Sequence, residues 1–154
     1  MDNPATDCID IQANKGTFCD EVSAVPGGDH IRMCFACGTC AAGCPVTEVE
    51  SNYNPRKIIR QILLGMKEEV LSSPLIWLCM MCYRCYSRCP QQVNFTDIMG
   101  ALRYLAIKEG YAPQSIKKQN DEIEQLSQAL RQKMIAKSDE EKIKLMEEIR
   151  AKIG

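Results

Sequence analysis

The sequence lacks any apolar run long enough to cross a lipid bilayer. A membrane-spanning helix needs about 20 predominantly apolar residues, whereas the longest apolar stretches, residues 75–81 and 62–66, are far shorter. Residues 1–10 contain acidic side chains in place of the positive charges and apolar segment of a secretory signal. These absences predict a cytoplasmic protein without direct membrane insertion, whose membrane contacts would be made through partner proteins.

The sequence also has little net charge. Its 19 Lys and Arg residues and 20 Asp and Glu residues leave a formal charge of −1, and the basic residues are spread along the chain. Such a distribution creates no positive field of the kind that attracts nucleic acid. The sequence has no Gly-rich phosphate loop, dinucleotide fingerprint or recognisable nucleophile–base pair. We therefore expect no nucleic-acid partner and no catalytic residue in this chain.

Cysteine, by contrast, is abundant, with ten residues among 154. Eight of the ten form two runs in which cysteines at i, i+3, i+6 and i+10 are followed by proline. The runs are Cys34, Cys37, Cys40, Cys44 with Pro45, and Cys79, Cys82, Cys85, Cys89 with Pro90. This spacing is a known signature of bacterial proteins with two iron–sulfur clusters. Two complete copies of the run predict two [4Fe–4S] clusters.

In proteins with this signature, the fourth cysteine of each run ligates the cluster of the other run. A cubane presents four iron corners, and one tight loop with three cysteines reaches three of them, so a distant residue supplies the fourth ligand. The expected ligands of the first cluster are Cys34, Cys37, Cys40 and Cys89. The expected ligands of the second cluster are Cys79, Cys82, Cys85 and Cys44.

Two other uses of the clustered cysteines fit the sequence less well. A structural zinc site needs four ligands, usually as two pairs, so the third cysteine of each run would be surplus. A disulfide scaffold is typical of small exported proteins, and residues 1–10 carry no export signal. Cys8 and Cys19 lie outside both runs and could hold a metal or act as redox thiols. His30, the single histidine, is more typical of a surface or packing residue.

Residues around the two runs fit a cluster environment. Gly38 and Gly43 allow the backbone to approach an inorganic core whose sulfur atoms accept hydrogen bonds from amides. Aromatic and Met side chains near the second run could shield that cluster from water or simply pack in the core; they are Trp77, Met80, Met81, Tyr83 and Tyr86. Basic side chains could offset the negative charge of the clusters; they are Arg32, Arg84 and Arg88.

The whole sequence predicts a mainly α-helical chain in three parts. Residues 1–30 indicate an irregular N-terminal arm, and residues 31–112 form the two-cluster domain. Residues 113–154 contain no cysteine and predict two amphipathic helices, the second of which begins with a capping box at Ser138 and Glu141. The apolar stripes of these C-terminal helices either pack on the cluster domain or dock onto a partner.

Capping signals delimit two helices in the middle part. Asn54 can cap the first and Pro55 suits its first position. Apolar residues continue at helical spacing as far as Val70, which predicts a single helix that ends before residues 72–74. Asn94 or Thr96 can cap the second helix, which follows the second cysteine run.

The cysteine runs and the segment between them resemble the C subunit of heterodisulfide reductase. The resemblance covers roughly residues 31–112 and rests on three strings: CFACGTCAAGCP at residues 34–45, YNPRKIIR at residues 53–60 and CMMCYRCYSRCP at residues 79–90. It implies an α-helical ferredoxin domain, and it implies the ligand role for the eight cysteines of the two runs.

The resemblance further implies a non-catalytic electron-transfer subunit of a soluble oxidoreductase complex. Electrons would pass from a flavin- and iron–sulfur-containing subunit, through the two clusters, to a cysteine-rich catalytic subunit that reduces a disulfide. In methanogens that disulfide joins coenzymes M and B. The alternatives are the iron–sulfur subunit of another anaerobic dehydrogenase, of the succinate or glycerol-3-phosphate type, and a structural metal module that organises an assembly.

Overall fold

The computed structural model describes residues 17–153, which form helices joined by short loops. In chain order the α-helices are α1 (Thr17–Ala24), α2 (Thr39–Ala42), α3 (Pro45–Val49), α4 (Pro55–Leu63), α5 (Lys67–Leu71), α6 (Arg84–Arg88), α7 (Phe95–Lys108), α8 (Ser115–Ile135) and α9 (Asp139–Ile153). Two 3-10 helices lie at Asp29–Met33 and Pro74–Trp77. No strand occurs within the described range. The prediction of a mainly α-helical fold is confirmed.

The chain divides into two compact units between Pro113 and Gln114. The first unit contains α1 to α7 and both cysteine runs, and the second contains α8 and α9. The core of the first unit is built mainly from α1, α4, α5 and α7; its buried side chains include Phe18, Val22, Ile58, Ile59, Ile62, Val70, Leu71, Ile98, Leu102 and Leu105. Most of these helices are too short to be stable alone, so the buried apolar surface stabilises them.

Helix α1 differs from the irregular arm expected over residues 1–30. Phe18, Cys19 and Val22 are buried in the core, because i, i+3 and i, i+4 positions of a helix lie on one face. Pro26 and Gly27, which suggested irregular structure, lie beyond the end of this helix. The prediction is therefore wrong for residues 17–24, and residues 1–16 lie outside the described residues.

The predicted caps are present in part. The Asn54 side chain accepts a hydrogen bond from the Lys57 amide at 3.1 Å, which confirms Asn54 as the cap of α4. Asn94 precedes α7, but its side chain makes no capping hydrogen bond. Thr96 lies inside the first turn of α7 and is buried, so it does not cap the helix.

Gly65 divides the single helix expected between the cysteine runs into α4 and α5. Its φ is 77°, in the left-handed region that favours glycine. The Gly65 amide donates to the Ile62 carbonyl and the next amide donates to the Gln61 carbonyl, both at 3.0 Å. This pair of bonds is a Schellman motif, which ends α4. Val70 is still buried, because α5 restores a helix two residues later.

The second unit contains the predicted capping box. The Ser138 amide donates to Glu141 Oε2 at 3.1 Å, and the Glu141 amide donates to Ser138 Oγ at 3.4 Å. Much of the predicted apolar stripes is exposed, at Ile123, Leu126, Leu130, Ile143 and Met146. No helix within residues 17–153 combines the length and the apolarity needed to span a membrane.

Candidate metal centre

The two cysteine runs follow the same backbone path. In the first run, Ala36 and Gly38 take left-handed conformations with φ of 59° and 85°. In the second run, Met81 and Tyr83 occupy the matching positions with φ of 49° and 58°. A short helix follows each pair, α2 in the first run and α6 in the second, and these helices pack together. Left-handed residues turn the chain sharply, and three of the four here are not glycine, so the surrounding structure must hold them.

The eight cysteines of the runs line two cavities in groups of four. The first cavity is lined by Cys34, Cys37, Cys40 and Cys89. The second is lined by Cys79, Cys82, Cys85 and Cys44. Each cavity combines three cysteines of one run with the last cysteine of the other run.

Phe95 lines both cavities. It is the first residue of α7, and only 2% of its surface is exposed. Five of the cysteines also pack against the core, two from the first cavity and three from the second; they are Cys34, Cys89, Cys44, Cys79 and Cys85. The site is therefore continuous with the hydrophobic interior.

One cysteine of each cavity reaches the surface. Cys37 in the first run and Cys82 in the second are exposed, whereas the other six are partly buried. Large apolar side chains next to the first run, Met33 and Phe35, are exposed as well. Those near the second run that are exposed include Leu78, Met80, Tyr83 and Tyr86, with the two tyrosine rings edge to face at 6.3 Å. Of the side chains expected to shield the second cluster, Trp77 is partly buried against the core.

The cysteine thiols differ in acidity according to burial and hydrogen bonding. A hydrogen bond with the Thr39 hydroxyl, at 3.3 Å, lowers the pKa of exposed Cys37. Burial raises the pKa of Cys40 to about 11 and also raises the pKa values of Cys79 and Cys85. The partly buried thiolates are therefore unfavourable unless positive charge accompanies them, and metal ions supply that charge when they replace the protons.

Two sulfur atoms inside the cavities have hydrogen-bond partners from α7 and the loop before it. The Thr96 hydroxyl lies 3.2 Å from Cys85 Sγ. The Val93 amide donates to Cys89 Sγ at 3.3 Å. The helix-cap role considered for Thr96 is thus replaced by a contact with a cysteine of the second cavity. Such contacts orient metal ligands and adjust their electron density.

Tyr53 contributes a buried hydroxyl to the second cavity. Its side chain is fully buried and lines this cavity. Tyr53 Oη has no hydrogen-bond partner among residues 17–153. A buried hydroxyl without a partner is costly, so this orphaned donor fits a cavity that accommodates a group with hydrogen-bond acceptors.

Arginine side chains surround the site. Arg56 lines the first cavity and Arg84 lines the second. Arg88 packs over Gly43, and a Cβ at that glycine would lie 3.0 Å from Arg88 Cζ and closer still to Nη1. Arg103 donates hydrogen bonds to the backbone carbonyls of Ile76, Trp77 and Cys79. Sequence reasoning assigned no role to Arg56 or Arg103.

Arg32, Cys19 and His30 are not among the residues that line the two cavities. Arg32 pairs with Asp20. Cys19 is buried in the hydrophobic core, whereas Cys8 lies outside the described residues. His30 is half exposed, with Nε2 3.4 Å from Asp29 Oδ2. The structure therefore brings together the eight cysteines of the runs and leaves Cys19 as a packing residue.

In the described part of the chain, the cysteine groups form neither a compact single-ion site nor a disulfide. Within residues 17–153, no three His, Cys, Asp or Glu side chains converge closely enough to hold one metal ion. The nine cysteines in this range are all free thiols.

Comparison with known families agrees with this chemistry. Residues 30–93 match a family model described as a 4Fe-4S dicluster domain. The match includes both cysteine runs and the segment between them. The chain thus carries a domain for two [4Fe–4S] clusters, and the cofactor prediction is confirmed.

Similar proteins share the same region. The chain is 39% identical over 94 residues to the C subunit of the H(2):CoB-CoM heterodisulfide,ferredoxin reductase of Methanothermobacter thermautotrophicus, a match of 61% of this chain and 50% of the relative. It is 42% identical over 81 residues to the iron–sulfur C subunit of the CoB–CoM heterodisulfide reductase of Methanopyrus kandleri, covering 53% and 42%. It is 35% identical over 83 residues to a protein of Archaeoglobus profundus named for its likeness to the same heterodisulfide reductase subunit, covering 54% and 44%. The matches span half or less of these relatives, and they confirm the resemblance to the C subunit.

Proposed function

Because the chain carries a 4Fe-4S dicluster domain homologous to that of the heterodisulfide reductase C subunit, we propose that it is a non-catalytic electron relay in an oxidoreductase complex. Electrons arrive from a subunit that contains flavin and iron–sulfur clusters. They leave to a cysteine-rich subunit that reduces a disulfide. Each bound [4Fe–4S] cluster supplies one-electron redox chemistry.

The proposed ligands are the cysteines that line each cavity. The first cluster is held by Cys34, Cys37, Cys40 and Cys89, and the second by Cys79, Cys82, Cys85 and Cys44. The support for this crossed arrangement is the grouping of these side chains around two cavities. Crossed ligation ties the two runs to each other, so loss of either cluster would loosen both halves of the first unit.

The observation that carries the relay role is the single exposed cysteine at each cavity. Cys37 opens the first cavity to the surface and Cys82 opens the second. A relay needs one edge where electrons enter and another where they leave. Exposed Phe35 beside one edge and exposed Tyr86 beside the other provide the apolar contacts typical of protein interfaces.

Other side chains of the chain hold and shield the two sites. Buried Phe95 lines both cavities and adds an apolar side chain to the wall of each. Arg56 and Arg84 each place a positive charge at the wall of one cavity. Positive charge near a cluster favours the reduced state, which carries one more negative charge.

The relay role can be tested by anaerobic purification of the tagged chain from its native cells, with mass spectrometry of the proteins that remain bound. We expect a flavin-containing iron–sulfur subunit and a cysteine-rich subunit. Capture of subunits of a different dehydrogenase, or recovery of a solitary chain, would contradict the proposed complex while leaving the two clusters in place.

Surface variants sharpen this test. Phe35→Glu and Tyr86→Glu each add a negative charge beside one exposed cysteine, so each should reduce capture of a different partner. Tyr111→Glu is the control, since Tyr111 is exposed but lines neither cysteine cavity. Equal recovery of both partners with all three variants would argue against docking at the two exposed edges.

A further inference from the structure

The hydroxyl of Tyr53 is not explained by core packing. The side chain is 0% exposed, and Oη has no hydrogen-bond partner in the part of the chain that the structure describes. A phenylalanine ring would fill almost the same volume without the cost of burying an unpaired donor. The presence of the hydroxyl therefore points to an acceptor that occupies the second cavity.

The position of Tyr53 narrows the identity of that acceptor. The residue lines the second cavity together with Cys79 and the three other cysteines of that cavity. An ordinary phenol is neutral at physiological pH, so Tyr53 Oη can donate a hydrogen bond. The hydroxyl lies near Cys79, a proposed ligand of the second cluster, but the two groups do not have the geometry of a hydrogen bond.

The other polar side chains that line this cavity do not supply the acceptor. Arg84 carries only donors. The Thr96 hydroxyl is already within 3.2 Å of Cys85 Sγ. Sulfur atoms are therefore the acceptors that remain for Tyr53 Oη at the wall or in the interior of the cavity.

The backbone of Tyr53 is fixed on both sides, which holds the hydroxyl in one place. Its amide donates to the Glu50 carbonyl at 3.0 Å. Its carbonyl accepts a hydrogen bond from the Thr47 hydroxyl, also at 3.0 Å. Asn54, the next residue, caps α4. A donor held this firmly is preorganised for its acceptor and loses little freedom on binding it.

We propose that Tyr53 donates a hydrogen bond from Oη to a sulfur atom of the [4Fe–4S] cluster held in the second cavity and thereby raises the reduction potential of that cluster. The inference rests on the ligand assignment in the proposed function. A hydrogen bond to sulfur stabilises the more negative, reduced state, so its loss lowers the potential. The first cavity differs, because the hydroxyl that lines it belongs to exposed Thr39.

The test is an anaerobic redox titration of the full chain, followed by electron paramagnetic resonance, with wild type compared with Tyr53→Phe. We expect the variant to retain both clusters, to lower the midpoint potential of one and to leave the other unchanged. We also expect the loss of one coupling to a solvent-exchangeable proton in the spectra of the reduced cluster. Tyr104→Phe is the control, because Tyr104 is 54% exposed and lines neither cysteine cavity.

Two cysteine variants, each of which keeps one cluster, show which cluster's reduction potential Tyr53 affects. In Cys37→Ala, where the second cluster remains, Tyr53→Phe should lower the potential by the same amount. In Cys82→Ala, where the first cluster remains, it should have no effect. Unchanged potentials and an unchanged proton coupling in Tyr53→Phe would overturn the role of Tyr53 while leaving the two-cluster relay intact. A wild-type chain with fewer than two clusters would overturn the proposed function and this inference together.

Discussion

The Arg103 guanidinium of α7 donates a hydrogen bond of 2.6 Å to the carbonyl oxygen of Cys79. It also donates to the carbonyls of Ile76 at 2.9 Å and Trp77 at 3.2 Å, and its Cζ lies 5.6 Å from the centroid of the Trp77 ring. One side chain thus fixes the backbone that leads into the second cysteine run. Arg103 is a positioning residue, since it holds the first cysteine of that run in place.

Replacement of this side chain should weaken the second half of the site. Arg103→Leu removes the donors to three partly buried carbonyls, so we expect the holoprotein to lose roughly 2–3 kcal/mol of stability. Anaerobic thermal unfolding, followed by circular dichroism and cluster absorbance, should show a lower midpoint and earlier cluster loss. The thermal midpoint of Arg103→Lys should fall between those of the wild type and Arg103→Leu. Arg131→Leu, on exposed α8, should have little effect; equal loss in both Leu variants would contradict the positioning role.

The Thr96 hydroxyl should influence the same cluster as Tyr53. Thr96→Val removes the contact with Cys85 Sγ, which lies at 3.2 Å. A loss of about 1 kcal/mol from the reduced state corresponds to a fall of roughly 40 mV in a one-electron potential. Redox titration of the two clusters checks this, with Thr96→Ser as the variant that retains the hydroxyl. A shift in both variants would indicate a packing effect instead of a hydrogen bond.

Gly43 and Arg88 should be energetically coupled. A Cβ at Gly43 would force the Arg88 guanidinium to move. We expect Gly43→Ala to cost about 1 kcal/mol in the wild-type background and clearly less in Arg88→Ala, because contacting residues show coupling of this size. Thermal unfolding of the two single variants and the double variant measures the coupling. Additive effects would show that the side chain and the glycine do not restrict each other.

Two glycines should respond to alanine in opposite directions. Gly65 has φ of 77° at the end of α4, and a side chain there costs about 1–2 kcal/mol. Gly100 lies within α7 with open space around its Cα, so alanine should stabilise the helix by about 0.5–1 kcal/mol. Thermal midpoints of Gly65→Ala and Gly100→Ala test this pair. A fall in both would mean that the site at Gly100 is less open than the structure shows.

Local signals in the sequence were sufficient for part of the fold. The cap at Asn54 depends on residues three positions apart and was predicted correctly. The break at Gly65 was missed, because Ile62, Met66 and Val70 keep helical spacing across it and all three are buried. The spacing of apolar residues indicates which side chains face the core. It does not reveal a short break in the helix when the residues on both sides of the break still face the core.

In the candidate metal centre, too, local patterns were predictable from the sequence and tertiary contacts were not. The spacing of each cysteine run is local, so it identified the residues that line the cavities. Tyr53 lines the cavity that contains Cys79, and Arg103 donates to the Cys79 carbonyl, although the two residues are 26 and 24 positions away from Cys79 in the sequence. Helix α1 was missed for a similar reason, since Phe18 and Val22 become informative only when the core that buries them is known. Such tertiary contacts leave no fixed pattern in a single sequence.

The crossed ligation of the two clusters is tested most directly by counting intact [4Fe–4S] clusters per chain in two double variants, by Mössbauer spectroscopy and iron analysis. If Cys44 serves the same cluster as Cys82, then Cys44→Ala combined with Cys82→Ala damages one cluster only, and one intact cluster remains. Cys44→Ala combined with Cys37→Ala damages both, and none remains. The opposite result, with one intact cluster in the Cys44/Cys37 pair and none in the Cys44/Cys82 pair, would contradict the crossed arrangement.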